Sequence, residues 1–188
     1  MLKIADWGLA RGYHPRANQR LTGGVITLWY RPQELLLGAR KYGAEADMWS
    51  VGCLVAEIAL RDALLKGDSE AVQLDMIHQF LGSPTGAIKE KFDRLPNSQK
   101  VTVSRTYPPG GNKAQRLSRI REPEFTALAE SLLCMDGETR PTAAQALTMP
   151  VFSTTGAPEA LQPDALEAFT VKDIHEFDVK EQVRGRLL

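Results

Sequence analysis

The sequence predicts a mainly α fold, and two observations carry that prediction. Apolar residues between positions 44 and 152 recur at helical spacing, and residues that start and stop helices stand where that spacing begins and ends. A brief alternation, Leu2-Lys3-Ile4-Ala5, reads as the end of a strand running into Asp6-Trp7-Gly8.

The elements follow in order. Residues 11–27 have no periodicity, and Gly12, His14, Pro15, Asn18, Gln19, Gly23 and Gly24 mark a long loop, which in a compact domain is usually functional. Residues 44–60 read as a helix with Met48, Trp49, Val51, Cys53, Leu54, Val55, Ile58 and Leu60 on nearly every face, as expected of a buried central helix. Asp47 stands near its start, where a carboxylate can meet free N–H groups and the positive end of the dipole. Asp68 or Ser69 caps a second helix carrying Val72, Met76, Ile77, Phe80 and Leu81, ended by Gly82 and Pro84. Residues 99–121 read as loop-rich and hold six cations, Lys100, Arg105, Lys113, Arg116, Arg119 and Arg121, with no acid. Pro123 opens another helix, with Phe125, Leu128, Leu132 and Leu133 on one face. Thr142-Ala143-Ala144-Gln145 fits a capping box for a short last helix. Residues 153–188 read as an extension without periodicity.

Composition narrows the class. The 188 residues carry 23 Lys+Arg against 23 Asp+Glu, which argues against binding nucleic acid or an anionic membrane through bulk charge. Hydrophobic residues at 43% and charged residues at 24% are globular values. Cys53 and Cys134 sit in apolar stretches without metal-ligand spacing, so they read as packing residues in a reducing compartment. No apolar run approaches the roughly 20 residues of a membrane span, and the N-terminus lacks the layout of a signal peptide, so an intracellular chain is expected.

Three motifs then occur in sequence: Asp6-Trp7-Gly8-Leu9-Ala10-Arg11, Thr27-Leu28-Trp29-Tyr30-Arg31-Pro32-Gln33-Glu34-Leu35-Leu36-Leu37-Gly38, and Asp47-Met48-Trp49-Ser50-Val51-Gly52-Cys53. Together they resemble the C-terminal lobe of a protein kinase of the cyclin-dependent family. The resemblance continues through Gly67-Asp68-Ser69-Glu70, Leu81-Gly82-Ser83-Pro84 and Arg140-Pro141-Thr142-Ala143. Leu21-Thr22, Val25-Ile26-Thr27 and the tail segment Asp173-Ile174-His175-Glu176-Phe177 resemble the transcription-associated branch, the kinases of the RNA polymerase II tail. The fold implied is a partial protein kinase domain over residues 1–152, with a C-terminal extension over 153–188.

The resemblance assigns roles residue by residue. Asp6 matches the Mg²⁺-binding aspartate of the D-F-G motif, with Trp7 replacing Phe; on its own it would read as an Asp ending an edge strand. Thr22 matches the activation-loop phosphorylation position, and Arg11 one member of the arginine cluster that would gather the phosphate. Val25, Ile26, Thr27 and Arg31 match the surface that receives the residue after the phosphoacceptor in proline-directed kinases. Proline has no N–H, so a site whose own carbonyls are tied inward tolerates it and penalises other residues. Glu34 and Arg140 match a buried ion pair, and Gln33 stands where the family usually has Pro. Asp47 matches the aspartate that holds the catalytic loop, and His175 a residue of the tail that reaches toward the nucleotide. The basic 100–121 stretch reads as a solvated loop, with docking of an acidic or phosphorylated partner as the alternative.

ATP and Mg²⁺ are the implied cofactors, a cyclin and Ser/Thr-Pro proteins the implied partners, and the nucleus the compartment favoured over the cytoplasm. Neither direct nucleic acid binding nor a membrane is implied. The 188 residues nevertheless contain no Gly-rich loop, no paired Lys and no H-R-D-x-x-x-x-N catalytic loop. The N-terminal lobe and the catalytic Asp and Lys are therefore absent from this chain, and 1–188 alone is expected to be inactive. It reads as part of a larger active kinase, with a non-catalytic protein-binding module as the alternative.

Overall fold

In the computed structural model, which describes residue 5 and residues 26–154, the chain is helical. Its α-helices are α1 (Gln33–Leu36), α2 (Glu45–Leu60), α3 (Glu70–Leu81), α4 (Gly86–Asp93), α5 (Lys113–Leu117), α6 (Pro123–Leu132), α7 (Ala143–Ala146) and α8 (Val151–Thr154). Short 3-10 turns lie at Leu28–Tyr30 and Gly137–Thr139. Among the described residues there is no strand, and no helix is long and apolar enough to cross a membrane. The strand-like residues 2–4, the loop up to residue 25 and the extension beyond residue 154 lie outside the described residues.

Helix α2 is the axis around which the described residues pack. Ala46, Met48, Trp49, Gly52, Cys53 and Ala56 are buried on it, and α6 packs along it. The approach is close because Gly52 has no side chain: a Cβ there would lie 2.9 Å from Cβ of Leu132. Trp49, Cys53 and Ala56 join Leu36, Leu64, Leu74, Ile77, Phe80, Leu117 and Leu133 in the main core. Met48 instead faces a smaller cluster with Leu128, Leu132, Ala146 and Val151, which fastens α7 and α8. Full burial of one such Leu or Ile side chain contributes about 1.5–3 kcal/mol.

The structure corrects two readings of α2. The helix is not apolar-buried on every face, because Val51, Leu54 and Ile58 are 40%, 43% and 54% exposed and form one stripe at i, i+3, i+7. Asp47 does lie in the first turn, beside the positive end of the dipole, but makes no capping bond. The N-cap is Ala44 with no side-chain bond, and the carboxylate of Glu45 takes the Gly43 N–H at 2.7 Å. Glu45 stands two residues closer to the free end.

Helix α3 begins where Ser69 Oγ accepts from the Val72 N–H and ends at Gly82 (φ 92°), whose N–H donates to the His78 carbonyl. The basic stretch after it is anchored rather than freely solvated. Ser83 and Tyr107 exchange backbone and hydroxyl bonds, Asn112 N–H donates to the Gln79 carbonyl at 3.0 Å, and the Tyr107 hydroxyl donates to Asp75 at 2.9 Å. Within it α5 forms, burying Leu117 completely. Lys113 donates to the Glu130 and Leu133 carbonyls at the C-terminal end of α6, which suits a cation at that end of a helix. Arg116 donates to the Leu64 carbonyl. Pro123 stands at the start of α6, and Thr142 and Gln145 close the capping box of α7.

Candidate functional site

The segment from Ile26 to Arg31 is held in one conformation by a network of side chains. Ile26 has φ 73°, a left-handed conformation that costs a β-branched residue on the order of 1–3 kcal/mol and persists only where neighbours impose it. Here Arg31 imposes it. Its Nη2 donates to the Ile26 carbonyl at 2.9 Å, while Nη1 pairs with Glu70 Oε1 at 2.8 Å. Arg31 itself is 8% exposed, so the guanidinium is fixed from both sides. The Ile26 carbonyl is thereby drawn toward the guanidinium and engaged by it.

A second set of bonds fastens this segment to α3. Trp29 Nε1 donates to the Gly67 carbonyl at 3.0 Å, Gln73 Nε2 donates to the Trp29 carbonyl at 3.2 Å, and the Gly67 N–H donates to Gln73 Oε1 at 2.8 Å. Gln73 is completely buried. Position 67 must be glycine, because a Cβ would lie 2.6 Å from the Gln73 backbone. Tyr30 is tied to α2: its hydroxyl donates to Glu57 at 2.8 Å and its carbonyl accepts from Ser50 Oγ at 2.9 Å. The bond to the Glu57 carboxylate, with desolvation behind it, pushes the Tyr30 phenol up to about 12. Thr27 is exposed, and its carbonyl accepts from the Tyr30 N–H at 3.0 Å.

The segment ends on a buried ion pair. Arg140 reaches Glu34 with both terminal nitrogens, at 2.7 and 3.2 Å, and also donates to the Glu45 and Cys134 carbonyls. Its side chain is fully buried and lies 5.1 Å from the centroid of the Trp49 ring. Gln33, which stands where the family usually has Pro, is buried and donates to the Met135 carbonyl at 3.2 Å. Asp47 remains accessible to solvent and makes no side-chain bond among the described residues. Partial burial, and then the neighbouring Glu45 carboxylate, raise its pKa from the ordinary aspartate value. Burial pushes the Cys53 thiol up to about 12, which leaves it protonated and unreactive.

Of the residues singled out in the sequence, Ile26, Thr27, Arg31, Glu34, Asp47 and Arg140 are therefore placed, and Ile26 and Arg31 are in direct contact. Asp6, Arg11, Thr22, Val25 and His175 lie outside the described residues. Among those described, no group of three or more His, Cys, Asp or Glu gathers that could hold a metal. Sequence reasoning missed Glu70, Trp29 and Gln73 as parts of this site. Glu70 and Trp29 stood within quoted motifs without a role, and Gln73 had no signal at all, since its burial depends on a turn the sequence does not reveal.

Comparison with known proteins places these features in context. The family model described as "Protein kinase domain" matches residues 1–152. The chain is 34% identical over 198 residues to the probable cyclin-dependent kinase 9 of Schizosaccharomyces pombe, covering 99% of this chain and 32% of that protein. It is 37% identical over 180 residues to the CTD kinase subunit alpha of Saccharomyces cerevisiae, covering 95% of this chain and 33% of that protein. Thus the chain spans about a third of these curated relatives. Among solved structures, a chain of the CAK complex from Chaetomium thermophilum bound to ATP-gamma-S superposes with a TM-score of 0.72 at 35% identity, over 83% of this chain and 48% of that one. The yeast RNA Pol II CTD kinase CTDK-1 complex gives 0.68 at 34% identity, over 83% and 51%.

Proposed function

Because the chain belongs to the protein kinase domain family and its relatives include cyclin-dependent kinases, we propose that it forms the C-terminal-lobe part of a proline-directed Ser/Thr kinase. The observation that carries the proline preference is the Ile26 carbonyl, engaged by Arg31, which Glu70 braces. A substrate residue that brings an N–H to this surface loses its hydrogen bond with water and finds that carbonyl already engaged, a penalty of about 1–3 kcal/mol. Proline brings no N–H and escapes the penalty. The relatives with CTD kinase activity in their names support assigning the chain to the transcription-associated branch, with the RNA polymerase II tail as substrate and the nucleus as compartment.

In this reading residues 1–152 are the kinase portion and 153–188 an extension. Asp6 holds Mg²⁺ on ATP, Thr22 is phosphorylated and met by Arg11, and His175 approaches the nucleotide. Val25, Ile26, Thr27 and Arg31 receive the substrate proline. Glu34 and Arg140 hold the segment in place, Asp47 braces the catalytic loop, and a cyclin binds the N-terminal lobe. The catalytic loop itself must come from sequence outside these 188 residues.

The test is to read the transcript 5′ of Met1 and to express any extended frame with its cyclin. An in-frame H-R-D motif and Gly-rich loop are expected. The extended enzyme should phosphorylate a Ser-Pro peptide at least about tenfold faster than its Ser-Ala counterpart, and R31A should bring the two rates together. The 188-residue chain alone should transfer no radiolabel from ATP. Transfer by 1–188, or an unchanged preference in R31A, would overturn the reading.

A further inference from the structure

The described cations mostly have a partner. Lys66 pairs with Asp62, Lys89 with Asp93, Arg94 with Glu90, and Lys91 with Asp136 and Glu138, while Lys113 and Arg116 are spent on carbonyls. Arg40, Lys41, Lys100 and Arg105 have none among the described residues, nor do Arg61, Arg119 and Arg121, which differ in standing together. They line one open pocket of about 440 Å³, together with Ala59, Leu60 and Glu122, and none of the three makes a hydrogen bond or ion pair among the described residues.

The backbone beneath these arginines is fixed. Arg61 occupies the left-handed position that ends α2, at φ 56°, and Arg119 and Arg121 flank Ile120, which is 5% exposed and packed in the main core. Burying Ile120 turns both neighbours outward to one side. One turn earlier Arg116 is pinned to the Leu64 carbonyl, so it braces the segment instead of entering the pocket. Asp62, next to Arg61 in sequence, is bonded to Lys66 at 2.5 Å and feels the charge of Arg119 as well. Glu122 is the single acid in the lining.

We propose that this pocket binds the phosphate of a phosphoserine or phosphothreonine in a partner protein. Three guanidiniums on a pre-set backbone repel one another when the pocket is empty, and a dianion with three acceptor oxygens relieves that repulsion. A singly charged carboxylate offers fewer acceptors and half the charge. A nucleic acid strand would need a continuous cationic track, whereas these three arginines line a single open pocket beside Glu122. The pocket also has room for the residue bearing the phosphate, not the bare ion alone.

Fluorescence polarisation with the full 188-residue chain tests the proposal, using a labelled phosphoserine peptide and its unphosphorylated counterpart at about 0.1 M salt. The phosphopeptide should bind at least about tenfold more tightly. R119E/R121E should abolish that difference and R61A should reduce it. R40E/R105E, an equal change of net charge at exposed positions outside the pocket, should leave it intact. All five positions are exposed, and matching thermal melts verify that each variant folds. Equal binding of the two peptides, an equal loss in R40E/R105E, or displacement of the phosphopeptide by an equimolar single-stranded oligonucleotide would each overturn the proposal.

Discussion

Arg140 shows how one side chain can serve several elements at once. Its guanidinium satisfies Glu34 and two backbone carbonyls while its face rests on the Trp49 ring, with no exposure to solvent. A lysine cannot reproduce this, because a point charge with three donors does not match a planar fork. R140A leaves the Glu34 carboxylate, 15% exposed, without its cation. The expected loss is about 3–5 kcal/mol, measured by urea denaturation, and a loss below about 1 kcal/mol would contradict the role. The Glu34–Arg140 pair was legible in the sequence only through the motif around each residue. The carbonyls of Glu45 and Cys134 were not, because backbone groups carry no residue-specific signal until a loop has its shape.

At the level of single helices, the clear readings came from terminal chemistry. Ser69 and Gly82 bound α3, Pro123 opens α6, and the Thr142–Gln145 box starts α7, as their residue types predict. Helices α4 and α5 went unread because each buries one apolar side chain, Phe92 and Leu117 respectively, which leaves no periodicity to detect. Gly52 poses a problem of sign. Alanine is the better helix former by about 1 kcal/mol, yet a Cβ would meet Leu132 at 2.9 Å and Leu133 at 3.0 Å. Leu132 presents its own Cβ, which cannot swing aside, and overpacking costs about 1–3 kcal/mol. G52A should therefore be destabilising in net terms, read as a lower midpoint of thermal unfolding; an unchanged or higher midpoint would show that α6 can slide outward.

For the whole molecule, the exposed stripe of α2 sets the behaviour of the isolated chain. Val51, Leu54 and Ile58 present an apolar row on the central helix, with Asp47 one turn before it. The 188-residue chain should bind the dye ANS, and V51S/L54S/I58S should bind markedly less while keeping its far-UV circular dichroism. Equal fluorescence from both would show that the row is covered in solution. The sequence could not reveal this face, since apolar residues fall on nearly every side of α2 and the packing of α6 and of the Leu28–Tyr30 and Gly137–Thr139 turns decides which sides are covered.

The bond between Glu34 and Arg140 also has a consequence in time. Its partners stand 106 positions apart. At a synthesis rate of about 5–20 residues per second, a ribosome completes Glu34 some 5–20 s before Arg140 exists. Throughout that interval the segment from Ile26 to Gln33 lacks its final anchor, whatever α2 and α3 have already formed. Its fastening is therefore among the last events of the nascent chain's maturation, because Glu34 has no Arg140 to meet until the chain has been made that far.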